Sequence, residues 1–190
     1  GCSASASITL SEPDALTATV SANQYAGGWN VSCNGAADAV VDVQVQGGTG
    51  PYTYAWSNGA NTASINGLSA GTYSVLATDA NGCSISASVV LSEPSALTSS
   101  INAATFAGGW NVGCNGANNG SAQFAVQGGT APYTYAWSNG ANTASVSGLS
   151  AGTYTVVATD ANGCSTSGSI TLTEPSVLMT SISVTPGYTV

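Results

Sequence analysis

The chain has 190 residues with eight carboxylates and no Lys, Arg or His, so its formal charge is −8 and every side-chain charge has the same sign. Nothing in it can neutralise phosphate, which makes nucleic acid and anionic lipid poor partners. The missing imidazole and cations also close Ser-His-Asp, Cys-His and cation-clamped phosphoryl chemistry.

The chain opens on Gly1-Cys2, which matches Gly82-Cys83 and Gly163-Cys164, so residues 1–13 read as the last strand of a preceding repeat. A Gly-Gly-Trp loop ending at Trp29 leads to Cys33. Next, Ala39, Val41, Val43 and Val45 alternate with Val40, Asp42, Gln44 and Gln46, the period of a strand with one buried face. Tyr52, Tyr54 and Trp56 share one side of the following strand, and the Asn58-Gly59 turn leads into residues 63–68. Tyr73, Val75 and Ala77 alternate inward again, and Gly71-Thr72-Tyr73 has the look of a tyrosine corner. The turn Asp79 to Gly82 feeds Ile85, Ala87, Val89 and Leu91, after which Glu93-Pro94 ends the unit.

The pattern then starts again. The run from Gln46 to Ser64 returns almost unchanged as Gln127 to Ser145, and Cys33, Trp56, Cys83 and Glu93 return as Cys114, Trp137, Cys164 and Glu174 without insertion or deletion. Residues 14–94 and 95–175 therefore read as two repeats, and residues 176–190 as the first strand of a following one. Both ends fall mid-pattern, as expected of a window onto a longer array. Short strands, Gly, Asn and Pro turns and no helical period predict an all-β chain of tandem immunoglobulin-like antiparallel β-sandwiches, arranged head to tail as a rod.

The runs GGTGPYTYAWSNGANTASINGLSAGTYSVLATDANGC and NVSCNG, with the intervening SEP step, resemble the SprB-type repeat of Bacteroidota cell-surface proteins. The resemblance implies very large secreted adhesins of gliding motility, exported by type 9 secretion to the cell surface. The stretch from Ala26 to Trp29, repeated from Ala107 to Trp110, departs from that pattern and offers a lateral contact of its own.

Five cysteines without Cys-x-x-Cys spacing read as disulfides rather than metal ligands. Pairing within a repeat would join Cys33 to Cys83 and Cys114 to Cys164. In a sandwich, however, the turns carrying these pairs lie at opposite poles, on the order of 25 Å apart, whereas a disulfide needs Cα atoms within about 7 Å. An inter-repeat bridge between Cys33 and Cys164 is therefore favoured, with the within-repeat pairs as the alternative. The same arrangement brings Glu93 towards Asp160 and Asn162, a thin set of oxygen ligands for Ca²⁺; the competing reading is that Asp79 and Asp160 close Asx turns. No other cofactor is expected.

Trp56 and Trp137 belong on a core-facing strand, whereas Trp29 and Trp110 follow Gly-Gly in loops and are the candidates for ligand or lateral contact. The scattered carboxylates form no catalytic pair that recurs, since Asn119 and Gln123 replace Asp38 and Asp42. The expected function is non-enzymatic: a structural or adhesive segment of an extracellular stalk or fibre, whose partners are adjacent repeats of the same chain. Alternatives are a subunit of a multi-chain filament built from identical chains, and a module binding surface polysaccharide through the loop tryptophans. No membrane insertion is expected.

Overall fold

The structure, a computed structural model, describes residues 1–182. It divides into two units, 1–95 and 96–190.

In the first unit β1 (Thr17–Ala22), β2 (Ala39–Gln46), β3 (Thr53–Trp56), β4 (Ser64–Leu68), β5 (Gly71–Thr78) and β6 (Ser84–Leu91) form two three-stranded sheets, ordered β1-β2-β4 and β3-β5-β6. All pairings are antiparallel. The order is that of an immunoglobulin-like sandwich reduced to six strands. The alternation read from the sequence decides which side chains turn inward: Ala39, Val41, Val43, Trp56, Ile65, Leu68, Val75 and Leu91 are buried in one cluster, closed at one end by Val31. Tyr73 meets the tyrosine-corner expectation, since its hydroxyl donates to the Ser69 carbonyl four residues upstream at 3.2 Å.

The second unit repeats the plan with β7 (Thr98–Ala103), β8 (Gly120–Gln127), β9 (Thr134–Trp137), β10 (Ser145–Leu149), β11 (Gly152–Thr159) and β12 (Ser165–Leu172), in sheets β7-β8-β10 and β9-β11-β12. Among the positions where its core differs is one complementary pair. Phe124 stands where the first unit has Val43, and Gly168 where it has Ala87. The Phe124 ring meets Trp137 edge to face, with centroids 6.5 Å apart. A Cβ at Gly168 would fall 2.6 Å from Phe124 Cε2, so the glycine makes room for the ring.

Residues 1–16 lie outside any strand, as do residues 173–182. Of residues 176–190, expected as the first strand of a following repeat, 176–182 are outside any strand and the rest lie outside the described residues. No helix among the described residues is long and apolar enough to cross a membrane.

Candidate functional site

Each unit concentrates its polar side chains at two points, and both tie together segments far apart in sequence. At the first, the Gly47-Gly48-Thr49 loop meets the turn after β5. Asp79, only 6% exposed, accepts the Thr49 amide at 2.9 Å on Oδ2 and the amides of Asn81 and Cys83 at 2.9 and 2.8 Å on Oδ1. Asn81 Nδ2 donates to Thr49 Oγ1 at 3.0 Å. The Thr49 amide, aided by those of Cys83, Asn81 and Gly82, holds the Asp79 carboxyl below its ordinary value, while burial pulls the other way. Gly48 has φ +61°, and a Cβ there would lie 2.7 Å from Asp79 Oδ2, so both conformation and space call for glycine.

Asp160 builds the same hub from Thr130, Asn162 and Cys164, with N···O distances of 2.8, 2.9 and 2.9 Å. The Asx-turn geometry is therefore present at both aspartates. Asn162 Nδ2 donates to Thr130 Oγ1 at 3.1 Å.

At the second point, the loop carrying Cys33 is strapped to the segment after β6. The amides of Asn30 and Val31 donate to the Ser92 carbonyl at 3.0 and 3.1 Å, and Asn30 Oδ1 accepts the Ser92 amide at 3.0 Å. Glu93 uses both oxygens: Oε1 takes Asn34 Nδ2 at 3.0 Å and Oε2 takes the Gly35 amide at 2.7 Å. Glu174 repeats this with Asn115 and Gly116 at 3.0 and 2.8 Å. Glu93, one of the thin set of oxygen ligands weighed for calcium against the Asx-turn reading, gives both oxygens to this strap, while Asp160 and Asn162 hydrogen-bond within the hub. Among the described residues no three His, Cys, Asp or Glu side chains gather as a metal site. The strap was missed in the sequence; its one visible signal was the recurrence of Asn-Gly and Glu-Pro at a fixed separation.

Of the cysteines, Cys33 and Cys164 are each in a disulfide. Cys2, Cys83 and Cys114 are free and exposed.

Two of the tryptophans are core residues and two lie in loops. Trp56 and Trp137 are buried, and their Nε1 groups donate to Thr62 and Thr143 carbonyls, both at 2.8 Å. Trp29 closes a short 3-10 turn over Ala26–Gly28, its carbonyl accepting the Tyr25 amide at 2.7 Å. Trp110 closes the equivalent loop and is 39% exposed, beside an equally exposed Phe106. Phe106 replaces Tyr25 and Asn119 replaces Asp38. Asp38 accepts the Ser32 amide at 3.1 Å, and hydrogen bonding from Ser32 holds its carboxyl below the ordinary value against the effect of burial.

The SprB repeat family model matches at residues 30–61 and again at 111–142. Each unit thus contains one stretch that this model matches. Each match opens at the strapped loop and runs through the buried Trp of the third strand to the turn beyond it. No curated protein matches the sequence. Among solved structures, one described as "Crystal structure of tetra-tandem repeat in extending region of large adhesion protein" is similar at 19% identity with a TM-score of 0.24. The alignment covers 84% of this chain and spans half the length of that one.

Proposed function

We propose that this SprB-repeat segment is a structural and adhesive part of a large extracellular cell-surface protein, in which each sandwich adds length to a stalk or fibre. The observation that carries this reading is the repetition of whole units without insertion. Hub, strap and tyrosine corner recur at equivalent positions, and the core rows recur with a few substitutions, as selection for a stackable unit requires. The polar side chains of both recurring points are spent on backbone N–H groups and neighbouring amides, which favours a scaffolding role over catalysis.

Adjacent repeats are the first partners in this reading, and a bridge from Cys33 to Cys164 is the proposed clamp between them. Secretion and a place in gliding motility come from the SprB resemblance. Negative-stain imaging with light scattering tests the stalk reading: an elongated monomer is expected. A compact particle would overturn it, and side-by-side bundles would favour the multi-chain filament.

One observation favours a second reading. The exposed Phe106–Trp110 pair presents two aromatic faces of the kind that stack on sugar rings. Glycan-array binding that disappears in Trp110→Ala would support a polysaccharide contact, and binding unchanged by the substitution would remove it.

A further inference from the structure

The apolar side chains of residues 3–10 are unpartnered, yet their pattern has two folded counterparts in the same chain. Ser3 to Leu10 aligns with β6, Ser84 to Leu91, and with β12, Ser165 to Leu172. Within those strands Leu91 and Leu172 are 2% and 1% exposed, sealing the ends of their cores, and Val89 and Ile170 are half-buried. The corresponding Leu10 is 86% exposed and Ile8 85%. Flanking residues match too: Gly1-Cys2 stands for the turn before the strand, and Glu12-Pro13 for the strap residues after it.

We infer that residues 3–10 are a last strand built to complete another repeat sandwich, and that the sandwich they fit is of the first unit's type rather than the second's. This rests on the tandem-repeat reading and adds a specificity rule to it. The discriminating residue is Ala6. It occupies the position of Ala87, which packs against a core containing Val43, and of Gly168, which faces Phe124. An alanine methyl at the Gly168 position would meet the Phe124 ring at 2.6 Å. That ring is fully buried and packed edge to face on Trp137, so it has little room to yield. Ala6 therefore fits an acceptor with valine at the Val43 position and is rejected by one with phenylalanine there. Inward-facing Ala4, Ile8 and Leu10 would take the places of Ile85, Val89 and Leu91 along the register by which β5 pairs β6, from Thr78↔Ser84 to Gly71↔Leu91.

The test adds an acceptor lacking its own last strand. Residues 14–81 are joined directly before Gly1 of the full chain, which recreates the Asn-Gly-Cys turn, and amide hydrogen exchange is read over residues 3–10. Exchange there should slow by about tenfold or more relative to the unextended chain. Val43→Phe in the added acceptor should abolish the protection, and Ala6→Gly should restore it. A control with residues 14–94 added, which brings its own β6, should leave residues 3–10 unprotected. Unslowed exchange with the Val acceptor overturns the inference, whether or not the added segment folds. Equal protection by the Val and Phe acceptors overturns the specificity rule. Imaging of the unextended chain tests the stalk reading separately, because residues 3–10 take no part in it.

Discussion

Glu93 holds Gly35 across 58 residues of chain, its Oε2 accepting the glycine amide at 2.7 Å while Oε1 and the Pro94 carbonyl share the Asn34 side chain. Charge-assisted bonds to backbone N–H are stronger than neutral ones, though solvent at this half-exposed site reduces their net value. Glu93→Ala should cost the first unit about 1 kcal/mol, read as a lower urea midpoint with unchanged m-value. Glu93→Gln, which keeps an acceptor but loses the charge, should fall between. An unchanged midpoint in both would show that the strap follows the fold without stabilising it.

The Phe124–Gly168 pair predicts a non-additive mutant cycle. Gly168→Ala drives a methyl into the ring and should destabilise the second unit by about 1–3 kcal/mol. Phe124→Val alone leaves a cavity and should cost a similar amount. Together they recreate the Val43–Ala87 arrangement, and the double variant should recover most of the loss. Additive costs in urea denaturation would show that the two positions do not share one space.

This complementarity also shows where the sequence stopped being legible. Alternation in residues 39–46 and 84–91 sufficed to name the buried rows and the sandwich, because a strand's period depends on adjacent residues. The exchange of Val43 and Ala87 for Phe124 and Gly168 was equally visible as letters, but its meaning depends on two strands from opposite sheets facing each other. The strap was hidden for the same reason: Asn34 and Glu93 lie nearly a whole repeat apart, and a carboxylate after a strand reads as readily as a metal ligand as an acceptor for backbone N–H. Asp79 was legible as a turn residue because its Asx bond to Asn81 is local, whereas its bond to Thr49 was not.

The hub makes the first unit sensitive to acid. The Asp79 carboxyl is held below its ordinary 3.8, first by the Thr49 amide and then by the other turn amides, and Asp38 is held down by Ser32. A folded-state value below the unfolded one gives stability that is complete above the unfolded value and drains away as pH falls through the folded one. Amide protection in the first unit should therefore be flat from neutrality to about pH 4 and decline below it. Asp79→Asn, which turns an NH₂ or a single oxygen towards three N–H donors, should lower stability at pH 7 and flatten the acid decline. Retention of the wild-type acid slope in Asp79→Asn together with Asp38→Asn would refute the assignment.

The proposed Cys33–Cys164 clamp can be tested by the chain's own aspartate spacing. Trypsin has no site, and Glu12, Glu93 and Glu174 are each followed by proline, which obstructs cleavage after glutamate. Cleavage on the amino side of aspartate puts Cys33 in residues 14–37, Cys83 and Cys114 together in 79–159, and Cys164 in 160–190. The clamp predicts that, without reductant, 14–37 travels with 160–190 while 79–159 runs free with two titratable thiols. Pairing within repeats would instead attach 79–159 to both of the other peptides. Because the clamp would close a long loop of chain, reduction should also destabilise the protein, by about 2–4 kcal/mol. A native peptide map in which 14–37 is bound to 79–159 would discard the clamp and restore the within-repeat alternative.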